Sequence, residues 1–100
     1  MISGTFTEDG STGWMQTEDH GGVHISVKGM WGAGSLTIEH RINGTAYVIL
    51  DPDDVVVTHT DNFNRHVFFE AHDVFRLTLA GSTTPALDYS VAGKSFWAYN

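Results

Sequence analysis

Cysteine is absent from this 100-residue chain, and positive charge is scarce. Without cysteine, disulfide bonds, thiolate zinc sites, iron–sulfur clusters and cysteine nucleophiles are all excluded. Five Lys and Arg residues, spread singly, face twelve Asp and Glu residues, and the formal net charge is −7. Nucleic acid and anionic membrane surfaces are bound by clustered cations, so we predict neither as a partner. Divalent cations or a basic protein surface suit this charge better, although acidity also simply favours solubility.

Long hydrophobic runs are also missing. The longest, residues 47–50 and 55–57, are far shorter than the roughly 20 residues that a membrane-spanning helix needs. The first residues lack a charged region followed by an apolar stretch, so we expect no secretory signal and synthesis in the cytoplasm. Helical spacing of apolar residues is absent as well, and only residues 69–75 could hold one helical turn.

Residues 23–91 instead form short segments in which apolar and polar residues alternate, separated by Gly, Asn and Asp. A period of two is the pattern of a strand with one buried face. Further strands are predicted near residues 13–17, at 47–50 and within 87–91. The residues on the apolar parity of the clearest segments are Val23, Ile25, Val27, Leu36, Ile38, His40, Ile42, Val55, Val57, His59, Val67, Phe69, Phe75, Leu77 and Leu79.

The turns between these segments define the fold class. Asn43-Gly44 is the favoured pair for a two-residue type I′ hairpin, because both positions require positive φ. Turns recur every 8–12 residues and separate seven or eight strands, which predicts an all-β, two-sheet antiparallel sandwich. Jelly-roll-like and immunoglobulin-like topologies both fit, but the buried Trp and paired Cys of antibody domains are missing. We predict one domain over residues 1–100, with a polar N-terminal arm at 1–22 that holds one short strand and an aromatic tail at 93–100.

Six histidines raise the question of a metal site. His20 and His24 have the spacing of a ligand pair on a helix, but they fall in a predicted loop and strand. His40 and His59 lie on the apolar parity of their strands and could converge across a sheet, yet a closed site would need two further ligands. Residues 51–54 hold three carboxylates in a pattern typical of turns. We predict no metal ligands.

Catalysis is not indicated by any motif. The Gly-x-Ser-x-Gly elbow of serine hydrolases is absent. Paired carboxylates would need a cleft between them, and a 100-residue sandwich leaves little surface to form one. We predict that the protein is not an enzyme and has neither catalytic residues nor a cofactor.

Aromatic residues outside the clearest strands are the candidate interface. Exposed Trp and Tyr can anchor a protein partner or stack on a sugar ring. The alternative is that they close the ends of the sandwich. The candidate interface residues are Trp14, Trp31, Phe96, Trp97 and Tyr99.

Three segments, residues 9–14, 23–32 and 34–39, together resemble small virion proteins of tailed phages. In that pattern a Gly-x-Trp-x-Gly corner precedes a strand, an Asn-Gly or Asp-Gly hairpin follows, and a later strand carries Tyr/Phe-Arg-Leu. The corner here is residues 29–32 around Trp31, the hairpin is Asn43-Gly44, and the later strand holds residues 75–77, Phe-Arg-Leu. The resemblance covers residues 9–81, and its glycine spacing at the corner is tighter than in the family. It assigns no functional residue to this chain.

Size, acidity and jelly-roll-like patterning are similar to those of capsid cement, or decoration, proteins. The resemblance implies a non-enzymatic virion protein that bridges major capsid protein subunits, itself forming a dimer or trimer. We predict that residues 1–22 and 93–100 make that contact, because polar arms can order on a neighbour. The alternative prediction is a phage tail or fibre domain, or a carbohydrate-binding module that uses Trp14, Trp31 or Trp97.

Overall fold

The computed structural model describes residues 2–16, 22–50, 53, 55–68 and 74–93. In these residues the secondary structure is strand, turn and bend, and every strand pairing is antiparallel. The strands are β1 (Ile2–Phe6), β2 (Gly10–Ser11), β3 (Met15–Gln16), β4 (Gly22–Met30), β5 (Ser35–Ile42), β6 (Thr45–Val48), β7 (Thr58–His59), β8 (Phe63–Phe68), β9 (Val74–Ala80) and β10 (Ala86–Gly93).

Two sheets form a sandwich, which confirms the predicted fold class. Sheet A has the order β1-β10-β4-β8, and sheet B has the order β2-β9-β5-β6. Both edge strands of sheet B are interrupted. At one edge β2 and β3 pair in succession with β9, and at the other β6 and β7 pair in succession with β5. When each broken edge is counted once, the described chain has eight strands in two sheets of four.

The pairing is nested about the β5–β6 hairpin. Of the eight strands, the first pairs with the last, the second with the seventh, the third with the sixth and the fourth with the fifth. This is one long hairpin rolled into two sheets, the topology of a jelly roll. Its innermost turn is Asn43-Gly44, with φ of 51° and 82°, as the dipeptide predicts.

The core lies between the sheets and follows the predicted alternation. Ile25, Leu36, Ile38, Leu77 and Leu87 have no exposed surface, and their strand neighbours point outward. Burial of these large aliphatic side chains contributes roughly 1.5–3 kcal/mol each to folding. The apolar periodicity of β4, β5, β9 and β10 therefore fixes which face of each sheet is internal.

Residues 2–16, the described part of the predicted N-terminal arm, hold three strands where one was predicted. Ile2–Phe6 forms the edge strand β1 on β10, and Phe6 is buried. The Asp9 carboxylate accepts backbone N–H bonds from Gly81 and Ser82, which ties the next turn to the β9–β10 loop. The Gly, Ser and Thr content of this segment concealed its strands, because only Phe6 and Met15 face the core.

Candidate functional site

Exposed apolar side chains concentrate at one edge of sheet B. In the described residues, five of the seven large hydrophobic side chains that are exposed fall between positions 42 and 56, on or beside β6 and the segment that leads to β7. We call this group the β6 edge. Its members are Ile42, Tyr47, Leu50, Val55 and Val56, which are 47–58% exposed.

The β5–β6 hairpin explains the first part of the β6 edge. Along β5, Leu36 and Ile38 are fully buried, His40 is half-buried, and Ile42 on the same parity is exposed. The hairpin therefore extends beyond the core while its apolar alternation continues. Tyr47 lies opposite His40 in the register, and their rings meet edge to face at 6.5 Å between centroids. Ile42, predicted from parity to share the apolar face, is on that face but outside the core.

The segment after β6 supplies the other members. Leu50 and Val56 form an isolated antiparallel bridge, and the Val57 N–H donates to the Ile49 carbonyl at 3.1 Å. Val57 is buried, whereas Val55 and Val56 are exposed. The sequence pattern predicts Val55 on the same face as Val57, but a regular strand here begins only at Thr58. The alternation of buried and exposed side chains is therefore lost in this segment, where the strand pairing consists only of the Leu50–Val56 bridge.

The β6 edge also has open backbone positions. β6 is the last strand of its sheet, with β5 as its only neighbour in the described chain. Edge strands can pair with a strand of another chain, and charged residues usually discourage this. The sequence of β6, Thr45–Val48, carries no charge. Apolar side chains and free ladder positions therefore coincide at this edge.

Trp14 lies at the opposite edge of sheet B, between β2 and β3. Its ring is half-buried, with the guanidinium carbons of Arg41 and Arg76 at 5.0 and 4.5 Å from the ring centre. Both distances are within the range of cation–π attraction. Arg76 Nε also donates to Glu39 Oε1 at 2.9 Å, which holds that guanidinium in place. Trp14 thus retains exposed surface, but two cations lie close to its ring.

Glu39 organises this outer face of sheet B. Its Oε1 accepts a hydrogen bond from the Thr78 hydroxyl at 2.5 Å, besides the bond from Arg76. The Thr78 hydrogen bond and the Arg76 charge outweigh desolvation and lower the pKa of Glu39 below its usual value. The carboxylate is therefore ionised at neutral pH and anchors the cation beside Trp14.

Trp31 is not an exposed interface residue in the described structure. It is buried, its ring lies 6.4 Å from that of Phe63, and its indole N–H donates to Asn62 Oδ1 at 2.9 Å. The same Asn62 oxygen accepts the Gly29 N–H at 3.1 Å. A buried indole needs a partner for its N–H, and Asn62 supplies one. Trp31 closes one end of the sandwich. The sequence analysis gave this placement as the alternative to an interface role.

The remaining predicted interface residues, Phe96, Trp97 and Tyr99, lie outside the described residues. The same holds for residues 1, 17–21 and 94–100 of the two predicted contact segments. The described part of the N-terminal segment pairs with strands of both sheets.

His40 and His59 do not converge. His59 pairs with Leu36, four positions from His40 along β5, which corresponds to about 13 Å. His59 instead stacks on Phe63 at 3.7 Å and faces Arg65, whose Nη1 lies 3.3 Å from His59 Nε2. Burial and the Arg65 charge lower the pKa of His59, so its ring is neutral and accepts from Arg65. Among the described residues, no group of three or more His, Cys, Asp or Glu is placed to hold a metal ion.

A shallow groove of about 420 Å³, with polar and apolar lining in similar amounts, crosses the outer face of sheet A. Ser and Thr hydroxyl groups form part of its lining, and Thr5 donates to Asp88 Oδ1 at 2.8 Å within it. Such a surface can hydrogen-bond a small polar molecule, and the half-buried Tyr89 also lines it. The lining side chains include Ser3, Thr5, Ser26, Lys28, Asp88 and Ser90.

Comparisons with protein-family models, with curated proteins and with solved structures give no match. Across the described segments, no helix is long and apolar enough to cross a membrane.

The β6 edge is the feature that sequence reasoning missed. The signal was present, because residues 46–50 and 55–57 are apolar on both parities of a strand. A strand with one buried face needs only one apolar parity, so apolar residues on both indicate a second contact. The sequence analysis assigned these two runs to strands of the core and did not predict an exposed apolar edge.

Proposed function

We propose that this protein is a non-enzymatic structural protein that joins neighbouring subunits of an assembly, as a capsid cement protein of a tailed phage does. The observation that carries the proposal is the β6 edge. Five apolar side chains about half exposed at one sheet edge leave a surface whose burial by a partner is favourable at about 25 cal/mol per Å². A concentration of exposed apolar side chains at one edge is typical of a protein–protein contact.

The partner proposed for this edge is the major capsid protein. The sequence resemblance and the jelly-roll topology support this choice by association, because the same fold also occurs in lectins and other proteins. A dimer or trimer of the protein would repeat the contact symmetrically and add avidity. The site of action would then be the virion, after synthesis in the host cytoplasm.

Retention on particles tests the proposal. Particles assembled with the Tyr47→Ser, Val55→Ser double variant are expected to lose most of the bound protein, measured by quantitative mass spectrometry of purified virions. Met30→Ser is the matched control, because Met30 is 68% exposed on the other sheet. Wild-type protein that is absent from particles, or equal retention of the double variant, would overturn the proposal.

Sugar stacking on Trp14 is the alternative prediction. Trp14 is the described tryptophan with exposed surface, and the two guanidinium groups near its ring compete with a sugar for it. Glycan-array binding that is lost in Trp14→Ala would favour this function over a structural one.

A further inference from the structure

Two histidines of sheet A, His24 on β4 and His66 on β8, lie directly opposite each other in the antiparallel register. Their ring centroids are 4.7 Å apart, and the rings are inclined at 76°. His66 is exposed and His24 is half-buried, and both occupy the outward parity of their strands. The third residue of this row is Ala92 on β10, a small side chain that leaves space beside His24.

The ring separation agrees with chelation of one metal ion. Metal–nitrogen bonds to histidine are about 2.0–2.1 Å long. When the ring radius is added to each bond and the two bonds meet at the metal at an angle of 90–109°, the two ring centroids are about 4.5–5.2 Å apart. The observed 4.7 Å falls in that interval, so the separation of the two rings is compatible with a shared ion.

Electrostatics on this face also permits a cation. The charged side chains at outward positions of the described strands of sheet A are Lys28 and Asp88, which lie opposite each other in the register of β4 and β10. Lys28 is four residues from His24 along β4, about 13 Å away, and therefore does not occupy the site. The formal net charge of −7 attracts cations to the protein as a whole.

We propose that His24 and His66 form a surface site for a late first-row divalent metal ion, of the class Cu²⁺, Ni²⁺ or Zn²⁺. Imidazole nitrogen is a preferred ligand of these ions, and the order of affinity is expected to peak at Cu²⁺. Two protein ligands leave the other coordination positions to water. The proposal is independent of the proposed structural function.

Calorimetric titration of the full chain with CuCl₂, NiCl₂ and ZnCl₂ at pH 7.5 tests the site. One ion per chain is expected for the wild type, with Cu²⁺ bound most tightly. His24→Ala and His66→Ala should each weaken binding at least tenfold, and the double variant little more, because a chelate is lost when either ring is removed. His40→Gln, which removes a histidine of sheet B, should bind as the wild type does.

A second measurement separates loss of the site from loss of the fold. His66 is exposed, so His66→Ala is expected to fold, as checked by circular dichroism. Nickel should raise the midpoint of thermal unfolding of the wild type and of His40→Gln, but not of His66→Ala. The proposal would be overturned by unchanged metal affinity in His24→Ala and His66→Ala. It would also be overturned if the wild type showed no saturable binding of Cu²⁺ at concentrations up to about 1 mM, the range in which weak sites are occupied.

Discussion

Trp14 and Trp31 have similar sequence surroundings and opposite structural ones. Each adjoins a glycine, Gly13 before Trp14 and Gly32 after Trp31. Trp31 is buried and hydrogen-bonded to Asn62, whereas Trp14 is half-buried beside two guanidinium groups. The difference comes from what the fold places nearby. The turn before β8 closes over Trp31, while Trp14 lies in the link between β2 and β3 on the outer side of sheet B.

A glycine next to a tryptophan therefore does not by itself indicate an interface. Trp31 contributes to stability because its ring fills the end of the sandwich and its one polar atom is satisfied. Trp14 has surface left for a partner and little neighbouring core. We therefore expect substitutions around Trp31 to alter folding strongly and those around Trp14 to alter it weakly.

The largest effect is expected for Trp31→Ala. Removal of a buried aromatic ring costs about 3–5 kcal/mol of unfolding free energy, and Asn62 also loses a donor. Urea denaturation followed by circular dichroism measures the change. Trp31→Phe should recover much of the ring packing but not the Asn62 hydrogen bond. A loss below about 1 kcal/mol for Trp31→Ala would show that this ring is not part of the core.

The glycines beside the two tryptophans give a matched pair. Gly32 has φ of 58°, and a β-carbon there would collide with the Thr83 carbonyl oxygen. Gly32→Ala should cost about 1–3 kcal/mol through strain. At Gly13 an added β-carbon meets nothing within 4 Å, so Gly13→Ala should change stability by less than about 0.5 kcal/mol. Equal costs in thermal unfolding would contradict the contrast.

Prediction from the sequence succeeded where one physical constraint dominates. The alternation in β4, β5 and β9 specifies which face is buried, and Asn43-Gly44 specifies the turn that centres the fold. Strand order was beyond reach, because it depends on pairings such as Ile2 with Val91 that no local pattern encodes. β1 was missed because its face holds only one buried side chain, Phe6.

The candidate site was less predictable than the fold for the same reason. Trp31 and Trp14 cannot be distinguished until Asn62 and Arg76 are placed beside them. Register likewise brings His24 opposite His66, which are 42 positions apart in sequence. Side chains that meet across two paired strands have no fixed separation in sequence. A site formed by such side chains can therefore be recognised only once the strand pairing is known.

On the Trp31 side, His59 stacks on Phe63 and should make stability depend on pH near neutrality. Its pKa is lowered from 6.5 in the folded protein, so the unfolded chain binds the proton more readily. Stability is then complete above pH 6.5 and falls as pH decreases below that value. His59→Gln should reduce this fall between pH 7 and 5 in urea titrations. A variant with the wild-type profile would exclude His59 as the cause.

On the Trp14 side, Glu39 should act at lower pH. Its pKa is lowered from 4.5, because the folded protein favours the carboxylate through Thr78 and Arg76. The resulting stability is present above pH 4.5 and is lost as pH falls through the lowered pKa. Glu39→Gln should therefore lose less stability on acidification below pH 4.5 than the wild type. Identical acid profiles would show that the Glu39 hydrogen bonds do not contribute.

Of the two tryptophan substitutions, the smaller effect is expected for Trp14→Ala. Its ring gains about 0.5–1 kcal/mol from cation–π attraction at an exposed site, and Arg76 keeps its bond to Glu39 without it. Urea denaturation should therefore show a loss near 1 kcal/mol, several-fold below that of Trp31→Ala. A loss as large as for Trp31→Ala would mean that Trp14 is a core residue of the edge strand. A small loss would show that folding does not require the exposed surface of Trp14. That surface would then be free to serve in binding.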